Sequence, residues 1–257
     1  VSVQNEPEAI QVWESCLWTA EDEAHFIAQY LGPIMESEGF GHVKILAWDH
    51  NKDRIMERAD GVLGNPDAAK YIWGVGFHWY GGDNFESLAH VKATYPDKHL
   101  LFTEGCQEGG PHQGAWSIGE RYAHEYIGDL NHGTTGCIDW NFVLDEEGGP
   151  NHVHNFCAAP IFANRTTGEL DYQNSYNYLG HFSRFIMPDA RRIQCASNTV
   201  VESTAFLNSD GSRVIILLNT TNDEQALFLL DGDTSIKIAS PARSIVTLVQ
   251  RNETLSQ

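Results

Sequence analysis

Apolar runs of strand length alternate with helical patterns over residues 1–187 of this chain. An alternation of this kind indicates parallel βα units, since each parallel strand needs a crossover that a helix supplies. Strands are predicted at residues 1–4, 43–48, 72–77, 100–103 and 136–141. They match the last five strands of a (β/α)8 TIM barrel. The predicted fold class is therefore α/β, with a partial barrel over residues 1–187.

Helix signals lie between these strands. Thr19, followed by acidic residues at 22 and 23, is an N-cap for a helix with apolar positions from 26 to 34. Pro96 closes a helix over residues 85–95, because proline cannot continue one. Further helices are predicted over residues 53–63, 67–71, 120–131 and 175–186.

The composition changes after Pro188. Short β-rich stretches then follow one another, separated by turn signals such as Ser209-Asp210-Gly211. Strands are predicted at residues 203–206, 214–218, 226–230, 235–238 and 245–249. This pattern is typical of an antiparallel β-sandwich. We therefore divide the chain into the C-terminal part of a barrel, residues 1–187, and a β-sandwich domain, residues 188–257.

Charge narrows the range of partners. The formal net charge is −19, and 42% of the residues are apolar and 20% charged. Nucleic acids and anionic lipid surfaces would repel such a chain. No apolar run approaches the ~20 residues that span a bilayer, and no targeting segment is visible at the start. We expect a solvated acidic surface, no nucleic-acid binding and no stable membrane insertion.

The cysteines and glycosylation triplets carry little functional information. Five cysteines, at positions 16, 106, 137, 157 and 195, show no C-x-x-C spacing. We expect buried thiols, not a disulfide framework or a zinc site. Asn-x-Thr triplets begin at Asn164, Asn219 and Asn252, but such triplets are common by chance and decide nothing.

Two glutamates follow predicted strands and begin turns. Glu6 lies in Asn5-Glu6-Pro7, and Glu104 lies in Thr103-Glu104-Gly105. A barrel of this class carries its chemistry at the carboxyl ends of its strands. Two glutamates delivered there could flank a glycosidic bond, one as proton donor and the other as nucleophile. A retaining mechanism would place their carboxyl groups about 5–5.5 Å apart.

The two carboxyl groups need different environments. A general acid must stay protonated near the working pH, which requires partial burial or a nearby negative charge, and we assign this acid/base role to Glu6. Glu104 is then the ionised partner, which attacks the anomeric carbon and forms a covalent glycosyl-enzyme. We expect Tyr80, at the end of an intervening strand, to hold the Glu104 carboxylate by a hydrogen bond. Asn5 can donate to the sugar hydroxyl beside the reacting carbon.

Aromatic residues near the strand ends suit a sugar site. Trp48, Trp79 and Trp140 lie at or near such ends, where a ring face can stack on a pyranose; core packing is the alternative for each. Metal binding is an alternative function for the histidines at positions 50, 78, 112, 152 and 154. They show neither H-E-x-x-H nor another helical ligand spacing. We predict no metal and no cofactor.

The chain resembles glycoside hydrolase family 30, which includes acid β-glucosidase. The resemblance extends over nearly the whole chain, and co-linear motifs carry it. Among them are Gln4-Asn5-Glu6-Pro7, Leu31-Gly32-Pro33, His78-Trp79-Tyr80, Thr103-Glu104-Gly105-Cys106, Asp139-Trp140-Asn141 and Glu147-Gly148-Gly149-Pro150-Asn151. The resemblance implies that Glu6 is the acid/base and Glu104 the nucleophile.

The same resemblance extends the candidate site. It implies that Trp140 and Asn155 line the active site and that His78 and Tyr80 lie near the nucleophile. The candidate substrate-binding residues are therefore Asn5, Trp48, His78, Tyr80, Trp140 and Asn155. The implied partner is a β-glucoside or β-glucan, and the implied location is lysosomal or secreted, with a microbial extracellular protein favoured.

Two departures from the family pattern shape our expectations. The family's barrel has three earlier strands, which carry an aspartate and a tryptophan that bind the sugar, and this sequence contains none of them. The family's sandwich also takes strands from that earlier part. We therefore expect this chain to be the C-terminal portion of an enzyme, with exposed barrel edges. We expect an N-terminal segment or self-association to cover those edges, and weak or no activity from this polypeptide alone.

The substrate stays open at this point. The resemblance favours a retaining β-glucosidase of the glucosylceramidase type, with an endo-β-1,6-glucanase or a β-xylosidase as alternatives. Residues 13–16 and 48–51 depart from the animal lipid-cleaving members and look more like microbial ones. The rival from another class is a non-catalytic carbohydrate-binding protein, or an inactive fragment. Retention of both Glu6 and Glu104 favours an enzyme.

Overall fold

The structure is a computed structural model, and it describes residues 1–251. The triplet at Asn252 and the last residues of the predicted 188–257 domain lie outside this range. The chain forms two compact units. Unit 1 comprises Val1–Cys106, Gly128–Trp140 and Asn151–His154; unit 2 comprises Gln107–Ile127, Asn141–Pro150 and the chain from Asn155 onward. This partition does not coincide with the boundary proposed after residue 187, which stays a prediction.

Four parallel strands form the sheet of unit 1. They pair in the order β1 (Ile45–Asn51), β2 (Ile72–His78), β3 (His99–Glu104) and β4 (Thr134–Cys137). Ala47, Val75, Phe77 and Phe102 are fully buried in it. Burial of successive residues is expected for parallel strands that are covered on both faces. The predicted partial barrel is confirmed.

Two of the predicted barrel strands differ in extent. The run at residues 1–4 is reduced to one parallel bridge between Ser2 and Leu46, because the chain already bends at residue 3. The run predicted at 136–141 is observed as β4, which begins two residues earlier and ends four residues earlier. Pairing continues beyond β4 for one contact, in which the Ile138 amide donates to the Phe102 carbonyl at 2.8 Å.

The helices follow the predicted pattern with shifted ends. They are α1 (Ala20–Phe26), α2 (Gly32–Ser37), α3 (Ile55–Leu63), α4 (Pro66–Ala69), α5 (Phe85–Thr94), α6 (Trp116–Asn131) and α7 (Asn174–Ser183). A π-helical turn, Ile27–Leu31, joins α1 to α2. The predicted cap at Thr19 is confirmed, since its hydroxyl accepts from the Asp22 amide at 3.1 Å in a capping box. Within the described residues, the helices include none that is long and apolar enough to cross a membrane.

The strands of unit 2 pair antiparallel, except that β5 (Val143–Asp145) and β6 (Ile161–Ala163) are parallel. One sheet pairs β13 (Ser244–Gln250), β10 (Arg213–Asn219), β9 (Glu202–Leu207) and β8 (Arg191–Ile193) in that order, and β11 (Gln225–Asp231) pairs with β12 (Thr234–Ser240). All five predicted sandwich strands are present. A further sheet contains β5 (Val143–Asp145), β6 (Ile161–Ala163) and β7 (Leu170–Tyr172). These strands and β8 were not predicted, because three residues carry too little alternation to be detected.

The thiols only partly match their prediction. Cys106 and Cys157 are buried, Cys137 and Cys195 are half-buried, and Cys16 is exposed. The prediction of a buried thiol is wrong for Cys16, because this residue lies in the irregular segment before α1, where no core covers it.

A buried ion pair connects the end of β1 to the end of α6 within unit 1. Lys52 Nζ lies 2.8 Å from Asp129 Oδ1, and neither side chain is exposed. The ammonium group also lies 4.3 Å from the centre of the Phe85 ring, a cation–π contact. Gly128 permits this packing, since a Cβ there would collide with the Phe85 ring. Loss of one partner would leave an uncompensated charge in the core.

We expect Lys52→Met to lower the free energy of unfolding by about 3–5 kcal/mol, because it removes the cation that pairs with the buried Asp129 carboxylate. Urea denaturation followed by circular dichroism measures the change. The control is Lys70→Met, which breaks an exposed pair with Asp67 and should cost less than about 1 kcal/mol. Equal costs for the two substitutions would contradict the assignment of Lys52.

Candidate active site

Carboxyl, imidazole and phenol groups meet at the carboxyl ends of β1, β2 and β3 in unit 1. Asp49 and His50 lie near the end of β1, His78 ends β2 and Glu104 ends β3. Glu6 joins them because its amide donates to the Asp49 carbonyl at 3.0 Å. The structure therefore brings the two predicted catalytic glutamates together at the edge of the sheet where a barrel places its chemistry.

A bulge in β1 directs Asp49 toward its neighbours. Trp48 pairs with Gly76 and His50 pairs with Phe77, so Asp49 is an extra residue in the ladder. Trp48 and Asp49 have φ values of +75° and +61°, which are strained for residues other than glycine. Gly76 leaves space beside the bulge, since a Cβ there would lie 3.3 Å from Asp49 Oδ1.

His78 is the centre of the cluster. Its Nδ1 lies 3.3 Å from Glu6 Oε1, and its Nε2 lies 3.2 Å from Asp49 Oδ1 and 3.9 Å from Glu104 Oε2. The ring is fully buried. Burial disfavours the imidazolium, but the hydrogen bonds to Asp49 and Glu6 and the charge of Glu104 raise the pKa of His78 to about 9. His78 is therefore a cation at neutral pH and donates from both ring nitrogens.

The Glu6 carboxyl group is stabilised as an anion. Its side chain is nearly buried, which by itself would raise its pKa. The hydrogen bonds from His78 and from Gln11 Nε2, at 3.1 Å, outweigh burial and bring the pKa of Glu6 below its ordinary value. His50 Nε2 lies 4.0 Å from Glu6 Oε1 and favours the Glu6 anion only when its ring is protonated.

Glu104 has the opposite tendency. Burial raises the pKa of Glu104, and the charges of Glu6 and Asp49 act in the same direction. The charge of His78 and a hydrogen bond from the Tyr80 hydroxyl, at 3.0 Å, offset part of this rise. The predicted Tyr80–Glu104 hydrogen bond is present. Burial, Cys106 and Glu104 together raise the pKa of Tyr80 far above its ordinary value, so the phenol remains a donor.

The pKa shifts of Glu6 and Glu104 are opposite to those that their predicted roles require. A proton donor at Glu6 needs a raised pKa, yet the pKa of Glu6 is lowered and that of Glu104 is raised. The cause is the position of His78, which is within hydrogen-bonding distance of Glu6 but not of Glu104. The assignment of the two roles stays a prediction.

The cluster is compact enough for either proton transfer or metal binding. One ligand atom each from Glu6, His78 and Glu104 lies within 4.8 Å of the other two. A metal would need a neutral His78, because an imidazolium has no free lone pair. The raised pKa of His78 works against that state at neutral pH. The donor chemistry thus favours proton transfer, and the metal-free site stays a prediction.

The prediction that Trp48 and Trp79 stack on a sugar is wrong. Only 1% of each side chain is exposed, so no pyranose can reach their faces. The Trp48 ring packs 4.8 Å from the Arg58 guanidinium and 5.0 Å from the His50 ring. Trp79 donates from Nε1 to the Cys106 carbonyl at 3.2 Å. Core packing, the alternative, describes both residues.

The other predicted binding residues fall into three groups. His78 is fully buried, so its prediction as a residue that contacts the substrate is wrong. Asn5 and Trp140 lie in unit 1 and are exposed, Trp140 to 53%, which leaves them available to a ligand. Asn155 lies in unit 2, where its Nδ2 donates to Glu108 Oε1 at 2.9 Å. Its role in a site stays a prediction.

Sequence reasoning missed the supports around His78. Asp49 accepts from His78 and from the Ser2 hydroxyl, and burial is outweighed by these bonds, so the pKa of Asp49 is lowered. Burial lowers the pKa of His50 and keeps its ring neutral. Both residues end a predicted strand, and that position was the available signal. The bulge that turns both toward the site has no signature in the sequence.

Two domain models of one protein family together match most of this chain. Residues 1–186 match the glycosyl hydrolase family 30 TIM-barrel domain, and residues 189–248 match the family 30 beta sandwich domain. The lysosomal acid glucosylceramidase of Mus musculus is 34% identical over 272 residues, which cover 98% of this chain and 52% of that protein. This chain thus spans about half the length of that relative.

Solved structures agree with the sequence matches. SrfJ from Salmonella typhimurium has a TM-score of 0.94 at 38% identity, over 98% of this chain and 57% of that one. The endo-beta1,6-glucanase BT3312 has a TM-score of 0.83 at 28% identity, over 96% of this chain and 56% of that one. Together with the two matched domains, these similarities show that the chain belongs to glycoside hydrolase family 30.

Proposed function

We propose that this chain carries the catalytic carboxyl groups of a retaining β-glycosidase that acts on β-glucosides. The observation that supports this most is the proximity of Glu6 and Glu104, which offer oxygens within 4.8 Å of each other at neighbouring strand ends. Retaining enzymes hold their two carboxyl groups about 5–5.5 Å apart, whereas inverting enzymes separate them by about 6.5–9.5 Å to admit a water. The spacing therefore favours retention of configuration.

In the first step, Glu104 attacks the anomeric carbon and Glu6 protonates the departing oxygen. Tyr80 aims the Glu104 carboxylate through its hydrogen bond. Glu6 must gain a proton, and a sugar bound over it would exclude water and raise its pKa. Glu6 takes this proton from solvent before the sugar closes the site, and His78 keeps its own proton.

In the second step, Glu6 changes from acid to base because Glu104 has lost its charge. Once Glu104 is esterified it is neutral, so Glu6 no longer faces that carboxylate. The imidazolium of His78 then favours ionised Glu6, which suits a general base that activates water. The same two glutamates thus serve both halves of a double displacement.

A glucosyl substrate is supported by the 34% identity to the lysosomal acid glucosylceramidase. The alternative is an endo-β-1,6-glucanase, which the similarity to the endo-beta1,6-glucanase BT3312 supports at lower identity. A β-xylosidase and a non-catalytic carbohydrate-binding protein are the remaining alternatives. Single-turnover experiments distinguish these candidates without requiring efficient turnover.

Covalent trapping tests the nucleophile. A 2-deoxy-2-fluoro-β-glucoside with a dinitrophenyl leaving group should add one glycosyl unit to the protein, and peptide mapping by mass spectrometry should place it on Glu104. Glu104→Gln should abolish labelling. Glu6→Gln should retain it, because this leaving group departs without protonation. The exposed Glu21→Gln is the control; an adduct on a residue other than Glu104 would refute the proposal.

The pH dependence of labelling tests the Tyr80 contact. Labelling requires ionised Glu104, whose raised pKa makes the rate fall as the solution becomes more acidic. Tyr80→Phe removes a hydrogen bond that favours the anion, so the pKa of Glu104 should rise further and the midpoint should move to higher pH. Tyr95→Phe removes a hydroxyl that donates to the exposed Asp60 and should leave the midpoint unchanged. A midpoint that moves to lower pH would contradict this account.

Substrate competition separates the two glycosidase candidates. A β-glucosidase should be protected from trapping by alkyl β-glucosides, and an endo-β-1,6-glucanase by β-1,6-linked glucose oligomers. The measurement is the labelling rate with each competitor, with the matching α-glucoside as the control. Protection by the oligomers alone would replace the β-glucosidase assignment by the alternative.

A further inference from the structure

A buried glutamate outside the cluster contacts the strained bulge of β1. Glu23, on α1, is 2% exposed, and its Oε1 accepts from the Trp48 amide at 2.9 Å. Its Oε2 lies 3.3 Å from Arg58 Nη2. Trp48 is the residue whose φ of +75° begins the bulge, so Glu23 holds the backbone immediately before Asp49.

Arg58, on α3, extends this contact to the segment that carries Glu6. Arg58 is buried, its Nη1 donates to the Trp18 carbonyl at 3.1 Å, and it lies 3.5 Å from Glu8 Oε1. The Trp18 amide in turn donates to the Pro7 carbonyl at 2.9 Å. Arg58 therefore contacts the segment that follows Glu6 in the chain.

The physical chemistry of a bulge explains why such a contact matters. The extra residue interrupts the ladder, so a backbone amide at the bulge needs another acceptor. A left-handed conformation at a tryptophan persists only where the surroundings hold it. A carboxylate is a strong acceptor for an amide. A buried ion pair adds little net stability, so the pair's main effect is on geometry.

We propose that Glu23 and Arg58 form a positioning pair that holds the Trp48–Asp49 bulge, and through it His78 and Glu6, in the arrangement that the active site needs. Glu23 touches no candidate catalytic group, and its influence passes through the Trp48 amide to Asp49 and then to His78. The catalytic part of this inference rests on the proposed function. The structural part does not.

Two substitutions at Glu23 separate the effect of its side-chain length from the effect of its charge. Glu23→Asp keeps the charge facing Arg58 but is one methylene too short to hold the Trp48 amide. Glu23→Gln keeps an amide oxygen at the same reach and removes the charge. Glu57→Asp shortens an exposed acid on α3 and is the matched control.

The first readout is the titration of His78, followed by nuclear magnetic resonance of its imidazole. The groups that face His78 are Glu6, Asp49 and Glu104, with the rings of His50 and Tyr80 about 6 Å away. In Glu23→Asp we expect the pKa of His78 to fall from about 9 toward its ordinary 6.5, because Asp49 and Glu6 move away from it. Glu57→Asp should leave it unchanged, and Glu23→Gln, which keeps an acceptor for the Trp48 amide, should lower it less than Glu23→Asp does.

The second readout is the rate at which the fluoroglucoside labels Glu104. We expect a fall of about 10- to 100-fold in Glu23→Asp, as small displacements of catalytic groups produce, and recovery in Glu23→Gln. A His78 titration in Glu23→Asp that matches the unaltered chain would overturn the inference, and so would an equal loss in Glu23→Gln. If the proposed function is wrong, no variant is labelled, while the His78 titration still reports on the positioning pair.

Discussion

The arrangement of the candidate active site depends on one buried positive charge. Glu6, Asp49 and Glu104 come from separate segments, and as anions they would repel one another at this spacing. A pair of like charges 4 Å apart costs about 4 kcal/mol at the effective dielectric of a protein. His78 compensates by donating to two of them and approaching the third within 3.9 Å. Its own charge is retained because these neighbours outweigh its burial.

Much of this arrangement could be predicted from the sequence, because it follows from where strands end. Glu104, His78 and Tyr80 each follow an apolar run, and parallel strands bring such ends together. The Tyr80–Glu104 hydrogen bond needed only that the two strands be neighbours. The strands of the β-sandwich were predicted from composition, since they are short β-rich stretches that lie between turn residues.

The remaining features depend on tertiary contacts that leave no local pattern. Trp48 lies at a strand end as a sugar-stacking residue would, yet the packing of Arg58 and His50 against it makes it a core residue. The pKa order of Glu6 and Glu104 is likewise set by which carboxyl group His78 reaches. Residue type and spacing do not determine such distances, so roles that depend on proton affinity are the hardest to predict from sequence.

The extra residue in β1 has a consequence for how the site tolerates change. In a regular strand, successive side chains alternate between faces, so Asp49 and His50 would point in opposite directions. The bulge lets two consecutive residues serve the same cluster, at the cost of left-handed backbone at Trp48 and Asp49. Deleting one residue there would restore a regular ladder and relieve that strain while dispersing the cluster. At this point of the chain, selection for stability and selection for function act in opposite directions.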